Sequence, residues 1–148
     1  MMSPIGSAHE VSTNLTAAAI RRLLPNGWHE RIQQTVRLPV SKLQPDIAVV
    51  RGSIRDYAGS APTPDAVGLV VEVADSSVGY DLGAKALLYS QGGIKEYWVV
   101  NLVDRRVEVF RGPGPEYATR LTFAADARVP FTLDCQTLGE IPVAEILP

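Results

Sequence analysis

At 148 residues, 46% hydrophobic and 20% charged, the chain has the size and balance of one globular domain with a core of its own. No apolar run approaches the roughly 20 residues of a membrane helix, and the start, MMSPIGSAHE, lacks the basic and apolar stretches of a secretory signal. A net charge of −2 argues against nucleic-acid binding by bulk charge, and one cysteine, Cys135, permits neither an intrachain disulfide nor a zinc cluster, so a reducing, cytoplasmic setting is expected.

Residues 1–8 are expected to form a loose tail on a single domain spanning 1–148. From His9 to Leu24 the pattern is helical, with Val11, Leu15, Ala18, Ala19 and Arg22 on one face. Pro25-Asn26-Gly27 ends it. Trp28 to Leu38 reads as one strand that turns Trp28, Ile32, Val36 and Leu38 inward, and Pro39 to Leu43 reads as a turn. In Gln44-Pro45-Asp46-Ile47-Ala48-Val49-Val50, small and branched apolar residues follow a Pro-Asp pair, which places Asp46 at the mouth of a strand. Arg51 to Asp65, rich in Gly, Pro, Ser and Asp, is a surface loop.

Leu69 to Ala74 is apolar on both faces and reads as a central strand covered on both sides. It carries one charge, Glu72, on the face shared by Val70 and Ala74. Asp75 to Gly79 is a turn, Asp81 to Ser90 a helix closed by Gly92-Gly93, and Ile94 to Asn101 a second apolar strand. Arg106 to Arg111 pairs with that strand as a hairpin through Val103-Asp104-Arg105. After a turn at Pro113-Gly114-Pro115, Tyr117 to Pro148 suggests one or two edge strands and a short terminal segment. This order predicts an α/β fold, a mixed sheet with helices packed on it.

Desolvating Glu72 costs several kcal/mol unless a cation or hydrogen bonds compensate. On the helix that follows, Leu82, Lys85, Leu88 and Tyr89 fall on one side. Lys85 therefore snorkels outward, meets Glu72, or pairs with Asp81 one turn before it. Two carboxylates at strand positions plus one lysine suit phosphodiester cleavage. Mg²⁺ (or Mn²⁺) takes oxygen ligands and often only one or two protein carboxylates, and an ammonium orients water and stabilises charge on the phosphate. Blander roles stand beside this one: Asp46 as a turn residue, Glu72 paired with an arginine, and Tyr89, Tyr97 and Trp98 as core. Arg105-Arg106 reads as a solvated hairpin tip. His9 and His29 have no metal-ligand spacing and read as structural, and Cys135 as inert.

Pro45-Asp46, Val-Val-Glu72-Val, the run Tyr80-Asp81-Leu82-Gly83-Ala84-Lys85-Ala86-Leu87-Leu88-Tyr89, and Gly93-Ile94-Lys95-Glu96-Tyr97-Trp98-Val99-Val100 resemble the Uma2 family (DUF820). That family lies within the PD-(D/E)XK nuclease superfamily, which implies a restriction-endonuclease-like fold. The resemblance covers Trp28 to Phe110 best. It implies a Mg²⁺-dependent DNA endonuclease in which Asp46, Glu72 and the backbone carbonyl of Val73 bind the metal and Lys85 is catalytic. Two residues after Glu72 stands Ala74 rather than the superfamily's lysine, so that lysine is read as moved onto the following helix. Asn101 stands where relatives commonly have aspartate, and Glu10 is a possible acidic helper from the first helix. DNA as partner, no membrane, and a homodimer are further implications. The alternative is a catalytically inactive nucleic-acid-binding or oligomerising module of the same fold.

Overall fold

Asp46 immediately precedes one strand of a six-stranded sheet, and Glu72 lies on the neighbouring strand, in the computed structural model, which describes residues 6–112 and 114–148. The strands are β1 (Trp28–Ile32), β2 (Val36–Arg37), β3 (Lys42–Leu43), β4 (Ile47–Arg51), β5 (Val67–Ala74), β6 (Glu96–Asn101), β7 (Arg106–Arg111), β8 (Thr119–Phe123), β9 (Arg128–Leu133) and β10 (Gln136–Pro142). The helices are α1 (Ser7–Leu23), α2 (Val78–Leu82), α3 (Ala84–Gln91) and α4 (Val143–Ile146). The main sheet runs β1-β4-β5-β6-β7-β8; β2-β3 and β9-β10 form separate hairpins. Only β5 and β6 pair in parallel, joined by the α2–α3 crossover that a parallel pair requires, and the other neighbours are antiparallel. The expected mixed α/β sheet is what the chain forms.

The centre of the sheet is covered on both sides, as the apolar β5 demands. One face buries Ile47, Val49, Leu69, Val71, Trp98 and Val100 under α1, the β9-β10 hairpin and α4. The other buries Ala48, Val50, Val70, Ala74, Tyr97 and Val99 against Ala86 and Tyr89 of α3 and against the β2-β3 hairpin. Alternation along the strands puts Glu72 on this second face with Val70 and Ala74, and Asp46 in step with Ala48 and Val50.

Several local expectations are corrected. Helix α1 begins at Ser7, inside the expected tail; residues 1–5 of that tail lie outside the described residues, as does Pro113 of the expected turn. Its buried face is Ser12, Thr13, Thr16, Ala17, Ala19 and Ile20, while Val11 and Leu15 are exposed. The buried hydroxyls are satisfied by carbonyls: Ser12 Oγ donates to Ile146 O, Thr13 Oγ1 to His9 O, and Thr16 Oγ1 to Ser12 O. Small hydroxyl side chains therefore let the helix lie close to the sheet without leaving a polar atom unpaired. The strand expected over Trp28–Leu38 breaks at Gln33, whose φ of 52° is left-handed. The helix expected over Asp81–Ser90 divides at Gly83, where ψ of −94° leaves the helical well. The C-terminal segment supplies three strands rather than one or two, with β8 on the main sheet and β9 paired to β10.

Beyond β4, Gly52 turns the chain into its loop at φ +95°, and a Cβ there would lie 2.5 Å from Asp56 Oδ2. That oxygen accepts the Ser53 N–H. Gly52→Ala is expected to cost about 1–3 kcal/mol of stability from the left-handed backbone and the displaced aspartate together. Urea unfolding of the variant against the native chain measures it.

Candidate active site

The β4–β5 ladder ends at Ile47↔Val71. One step further, side chains replace the backbone bonds. The Asp46 N–H donates to Glu72 Oε1 at 3.3 Å, and the Val73 N–H donates to Asp46 Oδ2 at 2.8 Å. The two strands part here and open a cleft of ≈ 440 Å³ whose lining includes His9, Asp46, Glu72, Val73, Asp81 and Lys85. The four positions singled out from sequence, Asp46, Glu72, Val73 and Lys85, therefore meet in one place.

Lys85 settles the three options left open for it. Its Nζ lies 2.9 Å from Glu72 Oε2 and 3.6 Å from Asp81 Oδ1, so it bridges both carboxylates. Asp81 lies in the last turn of one short helix and Lys85 in the first turn of the next, and the two keep an i,i+4 pairing across the break at Gly83. Glu72 Oε2 also accepts the Tyr89 hydroxyl at 2.8 Å, and Asp81 Oδ2 accepts Ser77 Oγ at 2.7 Å. Tyr97 is core as expected, and its hydroxyl donates to the Asp81 carbonyl at 2.9 Å. The arginine partner considered for Glu72 is replaced by Lys85.

Burial dominates the electrostatics. The Glu72 side chain is 5% exposed; desolvation, helped by the neighbouring Asp46, pushes its carboxyl up to about 7, against the pull of Lys85. Burial alone would lower the Lys85 ammonium, but Glu72, Asp81 and Asp46 outweigh it and raise the pKa, so Lys85 stays charged. Burial also raises the Tyr89 phenol, which remains a donor.

One residue in the cleft was read from sequence as structural. His9 Nε2 lies 3.1 Å from Asp46 Oδ2, and His9 Nδ1 is buried without a hydrogen-bond partner among the described residues. The residue beside it, Glu10, is exposed and does not line the cleft, so the acidic helper considered on α1 is not there. No spacing marks His9; the docking of α1 brings it in. Asn101 stands at the β6–β7 turn, where it accepts the Asp104 N–H at 2.9 Å, away from the cleft.

The donor set suits a hard divalent ion. Among the described residues no group of three or more His, Cys, Asp or Glu side chains is arranged to hold a metal, but Mg²⁺ usually takes one or two protein carboxylates and keeps water. Asp46 uses Oδ2 for its bonds to His9 and Val73, which leaves Oδ1 without a hydrogen bond among the described residues. The N–H and C=O of one strand residue share an edge, so the carbonyl of Val73 lies on the same edge as the N–H that meets Asp46.

A family model described as "Putative restriction endonuclease", Uma2, matches residues 1–142. No curated protein matches the sequence. Among solved structures, a crystal structure of "a putative nuclease belonging to DUF820" from Anabaena variabilis ATCC 29413 superposes with a TM-score of 0.76. The match covers 98% of this chain and 82% of that one at 15% identity, a likeness of fold. With the family model spanning nearly the whole chain, this protein belongs to the Uma2 family.

Proposed function

We propose that the protein is a metal-dependent endonuclease that hydrolyses DNA phosphodiester bonds, with Mg²⁺ or Mn²⁺ held by Asp46, Glu72 and the Val73 carbonyl. The observation that carries this reading is the convergence of Asp46, Glu72 and Lys85 at the point where β4 and β5 separate. A bound divalent ion would polarise the scissile phosphate and acidify a bound water. Lys85, fixed between Glu72 and Asp81, presents an ammonium that orients the attacking water and offsets charge on the phosphate. Tyr89 holds the Glu72 carboxylate, and His9 and the Val73 N–H together hold Asp46. Each of these groups is itself anchored, which fixes the geometry before substrate arrives.

Charge supports the metal. Four carboxylates, Asp46, Glu72, Asp75 and Asp81, face the cleft against one ammonium, Lys85. A DNA phosphate is repelled from such a cleft until cations offset its charge. One site per chain cuts one strand, so a homodimer forms part of the reading, and sedimentation tests it.

A ligand bound only by the folded state raises the melting temperature. Mn²⁺ is expected to raise it for the native chain and to leave Asp46→Asn unmoved, and the native chain alone is expected to nick supercoiled plasmid. A native chain with neither a Mn²⁺ shift nor nicking would reject the assignment. DNA binding without nicking would favour the inactive binding module of the same fold.

A further inference from the structure

A second groove adjoins the acidic cleft. It is a shallow, open depression of ≈ 430 Å³ between the turn at residues 33–35 and the loop at 57–61, and Gln44 lines both depressions. The turn is also tied to the site directly, because the Gln33 N–H donates to the Asp46 carbonyl at 3.0 Å. Like the cleft, the groove has one Lys or Arg side chain in its lining, Arg31, but among the described residues no carboxylate lines it; amides, hydroxyls and backbone make up most of the rest.

Arg31 is half-buried, and desolvation lowers the pKa of its guanidinium. Among the described residues it forms no ion pair. Among the described residues its Nε is buried with no acceptor, and its one side-chain hydrogen bond runs from Nη2 to the Thr35 carbonyl at 3.3 Å. The guanidinium carbon stands 5.5 Å from the centre of the Tyr57 ring, and Tyr57 is itself fixed by a hydroxyl bond to the Arg51 carbonyl. Removing a cation from water without a counter-charge is unfavourable, so the arrangement is incomplete until an anion joins it. A guanidinium braced on an aromatic ring, with donors unused, is a fork suited to phosphate.

We propose that this groove is the track of the DNA strand beside the scissile phosphate, with Arg31 as the clamp on a flanking phosphate. The inference rests on the nuclease reading above and names where its substrate lies. Gln34 and Gln44 line the same track and carry amides able to bond sugar, phosphate or base edges. The division of labour follows from charge: the cleft requires a metal before it accepts phosphate, whereas the groove attracts phosphate on its own.

The test is anisotropy of a labelled DNA duplex over a range of salt, with Ca²⁺ in place of Mg²⁺. Arg31→Gln is expected to weaken binding on the order of ten-fold per chain engaged and to lower the slope of log K against log salt by about 0.9 for each chain on the duplex, the loss of one phosphate contact apiece. Arg31→Lys retains the charge, so it keeps the slope while losing part of the affinity. Both variants are expected to keep the native melting shift with Mn²⁺, which shows that the metal site and fold are intact. Native affinity and slope in Arg31→Gln overturn the clamp, and so does loss of the Mn²⁺ shift in that variant. Failure of the native chain to bind duplex overturns it too, and the native Mn²⁺ shift then decides whether the metal site falls with it. A native chain that shows no Mn²⁺ shift but loses salt slope on Arg31→Gln keeps the clamp and loses the metal reading.

Discussion

Replacing Lys85 with methionine is expected to lower cleavage by about 10²–10³-fold, the usual effect of deleting one preorganised donor at the reacting centre. A second effect follows from the position of the ammonium. Lys85 is the strongest influence opposing the burial that pushes Glu72 up to about 7. Without it the carboxyl rises further and carries a proton at neutral pH. A protonated carboxyl is not a metal ligand, so the Mn²⁺ melting shift of Lys85→Met should shrink at pH 7 and return as pH is raised. The same protonation preserves the fold. Breaking a buried pair with the partner still charged costs about 3–5 kcal/mol, whereas a neutral Glu72 with Tyr89 at 2.8 Å leaves no unpaired charge. Lys85→Arg separates the two roles: it retains the cation that opposes the rise of the Glu72 carboxyl and so keeps the native Mn²⁺ shift, while the bulkier head misplaces the water and cleavage stays low. Native cleavage by Lys85→Met, or a Mn²⁺ shift in that variant independent of pH, would remove Lys85 from both roles.

What the sequence disclosed here depends on whether a residue's partners are local in pattern. Glu72 stood out because a charge in an apolar strand is an anomaly visible in the strand itself. Lys85 stood out because helical spacing put it among apolar residues. The split at Gly83 did not change the result, since both short helices keep Asp81 and Lys85 over the same strand. The inward face of α1 was misjudged because hydrophobic spacing cannot register a buried serine whose acceptor, the Ile146 carbonyl, is 134 residues away. That face decides which N-terminal side chain reaches the cleft, so the same misjudgement hid His9. Gln33 adopts a left-handed backbone without glycine, and such a break leaves no compositional mark. The groove beside Arg31 depends on that turn and was hidden with it. One or two strands were expected within Tyr117–Pro148 without being placed; β9 shows the alternation that marks a strand, with Val129, Phe131 and Leu133 turned inward.

The metal-free protein is expected to lose stability as pH rises from about 4.5 to about 7, and Glu72→Gln is expected to remove most of that loss. The carboxyl moves from 4.5 in the unfolded chain to about 7 in the fold. Its folded pKa is the higher, so the native state holds the proton more tightly. The stabilisation is complete below about 4.5, where both states are protonated, and vanishes as pH passes 7. The difference corresponds to roughly 3 kcal/mol at one buried side chain. Lys85 does not interfere within this window, because its raised pKa keeps it charged beyond its ordinary 10.5. Glu96, also raised by burial, contributes in the same direction, so the diagnostic quantity is the native curve minus the Glu72→Gln curve. Glutamine keeps an acceptor for Tyr89 and leaves Lys85 to Asp81, whereas ionised Glu72 must be held without full solvation. The variant should therefore match the native chain near pH 4.5 and exceed it at pH 8, as measured by urea unfolding in a chelator. Mn²⁺ should reverse the order at pH 8 by stabilising the native chain alone. Burial of Glu72 thus makes the fold less stable at neutral pH, and a difference curve that is flat from pH 4.5 to 8 would show that Glu72 is not held under that strain.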